Sequence, residues 1–189
     1  MSVTDPIRKL NLEDTAVLEG CIRQMSDSVK KIGGGRSNWR YCCNYELVLC
    51  EGIKMTEAFP PSAVIHLLAQ RCYANSSHMT DVFLKNGFSA VYCEGMALAD
   101  VIGGFPIEHA WVMLEGKVYD PTWTGKDGTP TGLAYIGIPF DQKYVRRTIK
   151  QTKSASMLDN FTFRFPLLEH EPPKHRHAKY PLKETADAT

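Results

Sequence analysis

After a polar start, the segment "TAVLEGCIRQMSDSVKKI" carries apolar residues at Val17, Leu18, Cys21, Ile22, Met25 and Val29. Steps of three and four residues put these side chains on one face of a helix, and "GGG" at 33 to 35 ends it. "RYCCNYELVLCEGIKM" is rich in aromatic and apolar residues but follows neither helical nor strand periodicity, so helix and buried strand both stay open. In "FPPSAVIHLLAQ", Pro60 and Pro61 suit a first helical turn, and Val64, Leu67 and Leu68 form a stripe, which predicts a helix. A further helix is predicted through "RCYANSSHMTDVFLKNG", with Met79, Val82 and Phe83 on one face and Asn86-Gly87 as its stop. Nothing between Gln70 and Cys72 breaks the period, so the two helices can also be one.

From residue 88 the pattern changes to that of a sheet. "FSAVYCEGMAL", "HAWVML" and "KVYDPTW" are rich in Val, Tyr, Phe and Trp and separated by Gly and Pro, and they predict successive strands. "TGKDGTPTG" is a turn-rich loop, and "FDQKYVRRTIKQTKSASML" predicts a last amphipathic helix through Tyr144, Val145 and Ile149. Helices followed by antiparallel strands give the α+β class. The expected organisation is one domain over residues 1–169, with its core at about 60–165. A mobile tail over 170–189 follows, rich in Pro, His and Lys; its His170, His175 and His177 read as solvated rather than as metal ligands.

Composition narrows the function classes. With 189 residues and a formal charge of +1, the chain can bury one sizeable core and offers no net field toward nucleic acid or an acidic membrane. No apolar run resembles a signal peptide or a membrane span, which predicts a soluble, cytoplasmic protein. In that setting the six cysteines read as reduced thiols. Cys42, Cys43 and Cys50 lack the paired C-x2-C spacing of a zinc site and read as small apolar residues.

The densest chemistry lies in "HAWVMLEGKVYDPTW". If Glu115-Gly116 is a two-residue hairpin loop, paired residues sum to 231, and His109, Trp111, Asp120 and Thr122 project from one face. His109 and Asp120 are then diagonal neighbours whose side chains can meet; an odd loop length would separate them unless a bulge intervened. Two cysteines compete as a third member. Cys72 sits near a helix start, where unpaired N–H groups favour a negative sulfur, whereas Cys93 lies within a strand, where apolar burial makes a thiol inert. The helix placement favours Cys72 as the nucleophile. The backbone N–H of Cys72 can then donate to an oxyanion. Asn75 and Glu94, with Trp111, are candidate substrate contacts.

A cysteine at a helix start, a helix closing at "NG", a strand ending as in "FSAVYCEG", then "HAW" and "DPTW", resembles the core of the transglutaminase-like branch of the papain-like cysteine enzymes over about residues 70 to 124. The resemblance implies a helix carrying the cysteine packed on an antiparallel sheet carrying His and Asp. It implies Cys72 as nucleophile, His109 as general base and acid, and Asp120 as the residue orienting the imidazole. The aromatic residue after the nucleophile is Tyr73 rather than the superfamily's frequent Trp. For the side-chain part of the oxyanion hole the nearby glutamine is Gln70, closer to the cysteine than in the papain manner. The expected activity is hydrolysis of an amide, peptide or isopeptide bond through a thioester, without cofactor or metal, on a protein, peptide or small amide substrate. An acyltransferase, transglutaminase or deamidase with the same triad, and a non-catalytic binding module of the same fold, are the alternatives.

Overall fold

The computed structural model describes residues 6–100, 105–159 and 165–169. Helix α1 (Leu12–Lys31) opens where the Asn11 side chain accepts the Glu13 N–H, carries Glu13 and Asp14 in its first turn and Lys30 and Lys31 in its last, and buries Leu18 and Ile22 completely. Both charge placements complement the helix dipole. The segment of open periodicity forms α2 (Asn44–Glu51), which buries Leu47 and Val48. Among the described residues the last of four α-helices is α4 (Gln142–Thr152), whose N-cap Asp141 accepts from the N–H groups of Lys143 and Tyr144.

The helix expected in "FPPSAVIHLLAQ" does not form. A single 3-10 turn at Pro61–Ala63 is followed by irregular chain, because this backbone bonds to the sheet instead of to itself. Ile65 N–H donates to the Tyr119 hydroxyl and Leu67 N–H to the Pro121 carbonyl. Val64 is buried, whereas Leu68 is 64% exposed, so the apolar residues share no helical face. Gln70 then takes a φ of 60°, and α3 (Cys72–Lys85) starts as a separate helix with Cys72 as its first residue. It stops at Asn86-Gly87, where Gly87 has a φ of 81°.

Among the described residues seven strands form one sheet: β1 (Arg8–Lys9), β2 (Ile53–Lys54), β3 (Glu57–Ala58), β4 (Ala90–Ala99), β5 (Ile107–Leu114), β6 (Lys117–Tyr119) and β7 (Gly132–Phe140), in the order β1-β3-β6-β5-β4-β7-β2. The long strand β7 and the short β1 to β3 add to the three strands read from the sequence. All pairs are antiparallel except β3 with β6. Only Met55 and Thr56 separate β2 from β3, yet β2 pairs with β7 and β3 with β6. One short segment therefore bridges both sides of the β6-β5-β4-β7 block, and the sheet must curl to allow it.

Curling gives every long strand two buried faces. Tyr92, Met96 and Leu98 of β4 pack with Leu18, Ile22, Leu47, Val48 and Val145 of the helices. On the other face, Val91, Cys93 and Ala97 meet Trp111, Met113, Val118 and Tyr135 inside the curl. A third cluster, with Met79 and Phe83 of α3 against Val112, Leu114 and Tyr119, seats α3 on β5 and β6. Among the described residues no helix is long and apolar enough to cross a membrane.

Gly95 and Gly137 face each other across β4 and β7. A methyl group on Gly137 would run into the Trp111 ring and the Glu94 carbonyl, whereas one on Gly20 of α1 would meet nothing within 4 Å. Gly137→Ala is therefore expected to destabilise the protein by ~1–3 kcal/mol and Gly20→Ala to stabilise it by ~0.5–1 kcal/mol. Thermal melting distinguishes the two signs.

Candidate active site

The β5–β6 hairpin has the two-residue loop: Leu114 pairs with Lys117, Met113 with Val118 and Val112 with Tyr119. Glu115 and Gly116 both have positive φ, 50° and 81°, the turn handedness that matches strand twist. Extending this register one step past β6 sets Asp120 opposite Trp111 and diagonal to His109, and Nε2 of His109 lies 2.8 Å from Oδ2 of Asp120. "DPTW" then folds back on the aspartate. Oδ1 accepts the N–H groups of Thr122 and Trp123, each at 3.0 Å, and Oδ2 also accepts the Tyr135 hydroxyl at 2.9 Å. Trp123 stacks on the imidazole with ring centroids 3.8 Å apart and an interplanar angle of 12°. The same four residues thus make a turn and fix a histidine ring.

Cys72 approaches from α3. Two polar bolts set that helix against the hairpin: Ser76 Oγ donates to the Ala110 carbonyl of β5 at 2.9 Å, and Asn75 Nδ2 donates to the Leu68 carbonyl at 2.7 Å and to Thr122 Oγ1 at 2.9 Å. Arg71 at the N-cap provides no side-chain cap, so the N–H groups of the first turn, with Cys72 leading, have no partner from it. Cys72 and His109 line one cleft of about 370 Å³ together with Gln70, Thr122 and Trp123, and the loop from Asp127 to Pro130 forms another wall. Burial by itself would lower the His109 pKa, but the charge and hydrogen bond of Asp120, helped by the Cys72 side chain, outweigh it and raise it to about 9. With Nε2 engaged by Asp120, Nδ1 is the ring nitrogen left for Cys72.

The other sequence candidates separate. Gln70 lines the cleft beside Cys72. Asn75 is buried and spent on its two hydrogen bonds, so it positions α3 rather than meeting a substrate. Glu94 and Trp111, expected as substrate contacts, are both 0% exposed and face the interior. Glu94 accepts hydrogen bonds from Tyr92, Ser156 and the backbone N–H groups of Met157 and Leu158. Trp111 packs edge-on against Tyr135 inside the curl. Strand alternation explains the correction: both strands have two covered faces, so a polar residue among apolar neighbours need not point at a cleft. Cys93 is also fully buried, away from the cleft. The histidines of the 170–189 tail lie outside the described residues.

Sequence reasoning missed Tyr135 and Ser76. A signal for Tyr135 exists in the run "GLAYIGIPF", which has the composition of a strand; Ser76, a small polar residue in a helix, gives none. Glu108, the neighbour of His109, also lines the cleft, and burial with the like charge of Asp159 pushes its pKa up.

The raised His109 pKa has a stability consequence. A histidine with a folded pKa above its unfolded value of about 6.5 contributes fully below that pH, and the contribution disappears as pH rises through about 9. The difference corresponds to roughly 3 kcal/mol. An NMR titration of the His109 imidazole should give a midpoint near 9, and urea unfolding should show stability declining between pH 6.5 and 9. A midpoint at or below 6.5 would contradict the ion pair.

No family model matches the chain, and no curated protein or solved structure is significantly similar to it, so its function has to be read from the residues and their geometry.

Proposed function

We propose that this protein is a thiol-dependent hydrolase of amide, peptide or isopeptide bonds, built on a papain-like core of the transglutaminase-like kind. The observation that carries the reading is the buried His109–Asp120 pair, 2.8 Å apart, sharing a cleft with a cysteine at the first position of a helix. The Cys72 sulfur, as a thiolate beside the His109 imidazolium, attacks the carbonyl carbon. The resulting oxyanion is met by the Cys72 N–H at the open helix start and by the Gln70 side chain on the same wall; one well-placed donor of this kind contributes about 3 kcal/mol. The C–N bond breaks as the His109 imidazolium protonates the departing amine, leaving a thioester. His109 then takes a proton from water, the hydroxyl adds to the thioester carbonyl, and the carboxylic acid leaves as the thiolate–imidazolium pair re-forms. Asp120 keeps the imidazole in the tautomer that presents Nδ1 to sulfur and stabilises its positive charge. Tyr135, Thr122 and Trp123 hold Asp120 itself.

Cys72→Ala is the cleanest test, because Cys72 is only partly buried whereas His109 and Asp120 are shut away from water. This variant should lose activity on a panel of amide and isopeptide substrates by at least about a thousandfold while melting within a few degrees of the parent. Asp120→Asn is expected to reduce turnover and also to lower the melting temperature, since it leaves a buried imidazolium without its counter-charge. Alkylation with iodoacetamide near neutral pH, followed by peptide mapping, should modify Cys72 before the other five cysteines, and His109→Ala should abolish that preference. Preferential modification of another cysteine, with Cys72 silent in the folded protein, would overturn the assignment.

A further inference from the structure

The Cys42-Cys43 pair lies outside the proposed triad and has its own pocket. Successive side chains of an extended chain point to opposite sides, and Cys43 has extended backbone angles of −164° and 172°. Even so, the two sulfurs converge to 3.5 Å, with the Cys42 thiol donating to the Cys43 sulfur. Both thiols are partly exposed and both line a pocket of about 230 Å³ whose other walls include Trp39, Tyr45, Phe165 and Leu168.

We propose that Cys42 and Cys43 form a chelating dithiol that captures a trivalent arsenical carrying an apolar or aromatic substituent. Two observations select this chemistry over a disulfide and over a metal ion. A disulfide prefers Cα atoms about 5.5–6 Å apart, whereas neighbouring residues across a trans peptide are about 3.8 Å apart, so this pair is poorly placed to oxidise. Among the described residues no group of three or more Cys, His, Asp or Glu side chains is arranged to hold a metal ion. Trivalent arsenic makes three bonds, and in an organoarsenical carbon already supplies one. Two sulfurs and an apolar pocket complete the set: the sulfurs bond the arsenic, and the aromatic walls receive its substituent. Burial, Cys43 and Glu46 push the Cys42 thiol up to about 12. In the reaction two S–As bonds form and two As–OH bonds break. The two thiol protons leave with the hydroxyls as two waters, and nothing is oxidised or reduced.

The dithiol pocket and the cleft share a wall. Asn44, next to the pair, hydrogen-bonds Glu108, and Glu108 lines both the dithiol pocket and the cleft with Cys72 and His109. The dithiol reading itself does not depend on the proposed hydrolase activity.

The test uses the full chain carrying Cys72→Ala, treated with phenylarsine oxide in excess glutathione and examined by native mass spectrometry. A monothiol strips singly bound arsenic, so the expected result is one retained adduct, removed by dithiothreitol. Cys42→Ser and Cys43→Ser should each cut retention at least tenfold, and Cys21→Ser and Cys50→Ser should leave it unchanged. Because a substitution at the start of α2 can disturb folding, peptide mapping with N-ethylmaleimide on the chain with all other cysteines intact provides a second reading, in which arsenical treatment must protect both Cys42 and Cys43. Retention should fall in urea, where the aromatic walls disperse. No retained adduct, retention that survives loss of either cysteine, or equal retention in urea would each overturn the site.

Discussion

The His109–Asp120 ion pair is the constraint around which the rest of the molecule is arranged. An imidazolium and a carboxylate withdrawn from water are tolerable only when each satisfies the other and the remaining lone pairs find donors. Here Asp120 receives the imidazole, a phenol and two backbone N–H groups, and the imidazole lies flat on Trp123. These partners come from β5, β7 and the turn after β6. Removing any one strand would leave a buried charge short of a partner, so the chemistry of the site and the closure of the sheet are energetically linked.

Sheet curvature supplies the burial that this pair needs. The 53–58 segment ties both sides of the block together, and the facing glycines Gly95 and Gly137 let Trp111 lie against the backbone inside the curl. Glu94 plays a parallel part on the outer face. Burial raises its pKa to about 7 against the pull of its donors, and it holds residues 156–158 over β4. Its folded pKa lies above the ordinary carboxylate value, so its effect on stability is largest at acid pH and fades as pH rises through about 7. This window lies below that of His109, and the two titrations weaken the fold in succession from acid to alkaline pH.

The cysteines show how one residue type is divided by environment. Cys93 is sealed inside the curl as an apolar residue, Cys72 stands at an uncapped helix start on the cleft, and Cys42 and Cys43 meet over a separate aromatic pocket. Only the second and third of these settings leave sulfur able to react.

Local rules determined a good part of this protein from the sequence alone. Glu115-Gly116 dictates a two-residue turn, the turn dictates the register, and the register makes His109 and Asp120 diagonal neighbours; each step involves residues a few positions apart. The α+β class, α1, α3, α4, the place of Cys72 at a helix start and the burial of Cys93 in a strand were legible for the same reason. Tertiary structure decided what depends on distant chain. "FPPSAVIHLLAQ" is no helix because its N–H groups are taken by Tyr119 and Pro121. Trp111 points into the curl that the 53–58 segment closes, and Glu94 is covered on the opposite face by residues 156–158. Tyr135 reaches Asp120 only because β7 lies against β4, a pairing between segments far apart in the chain that no local pattern specifies.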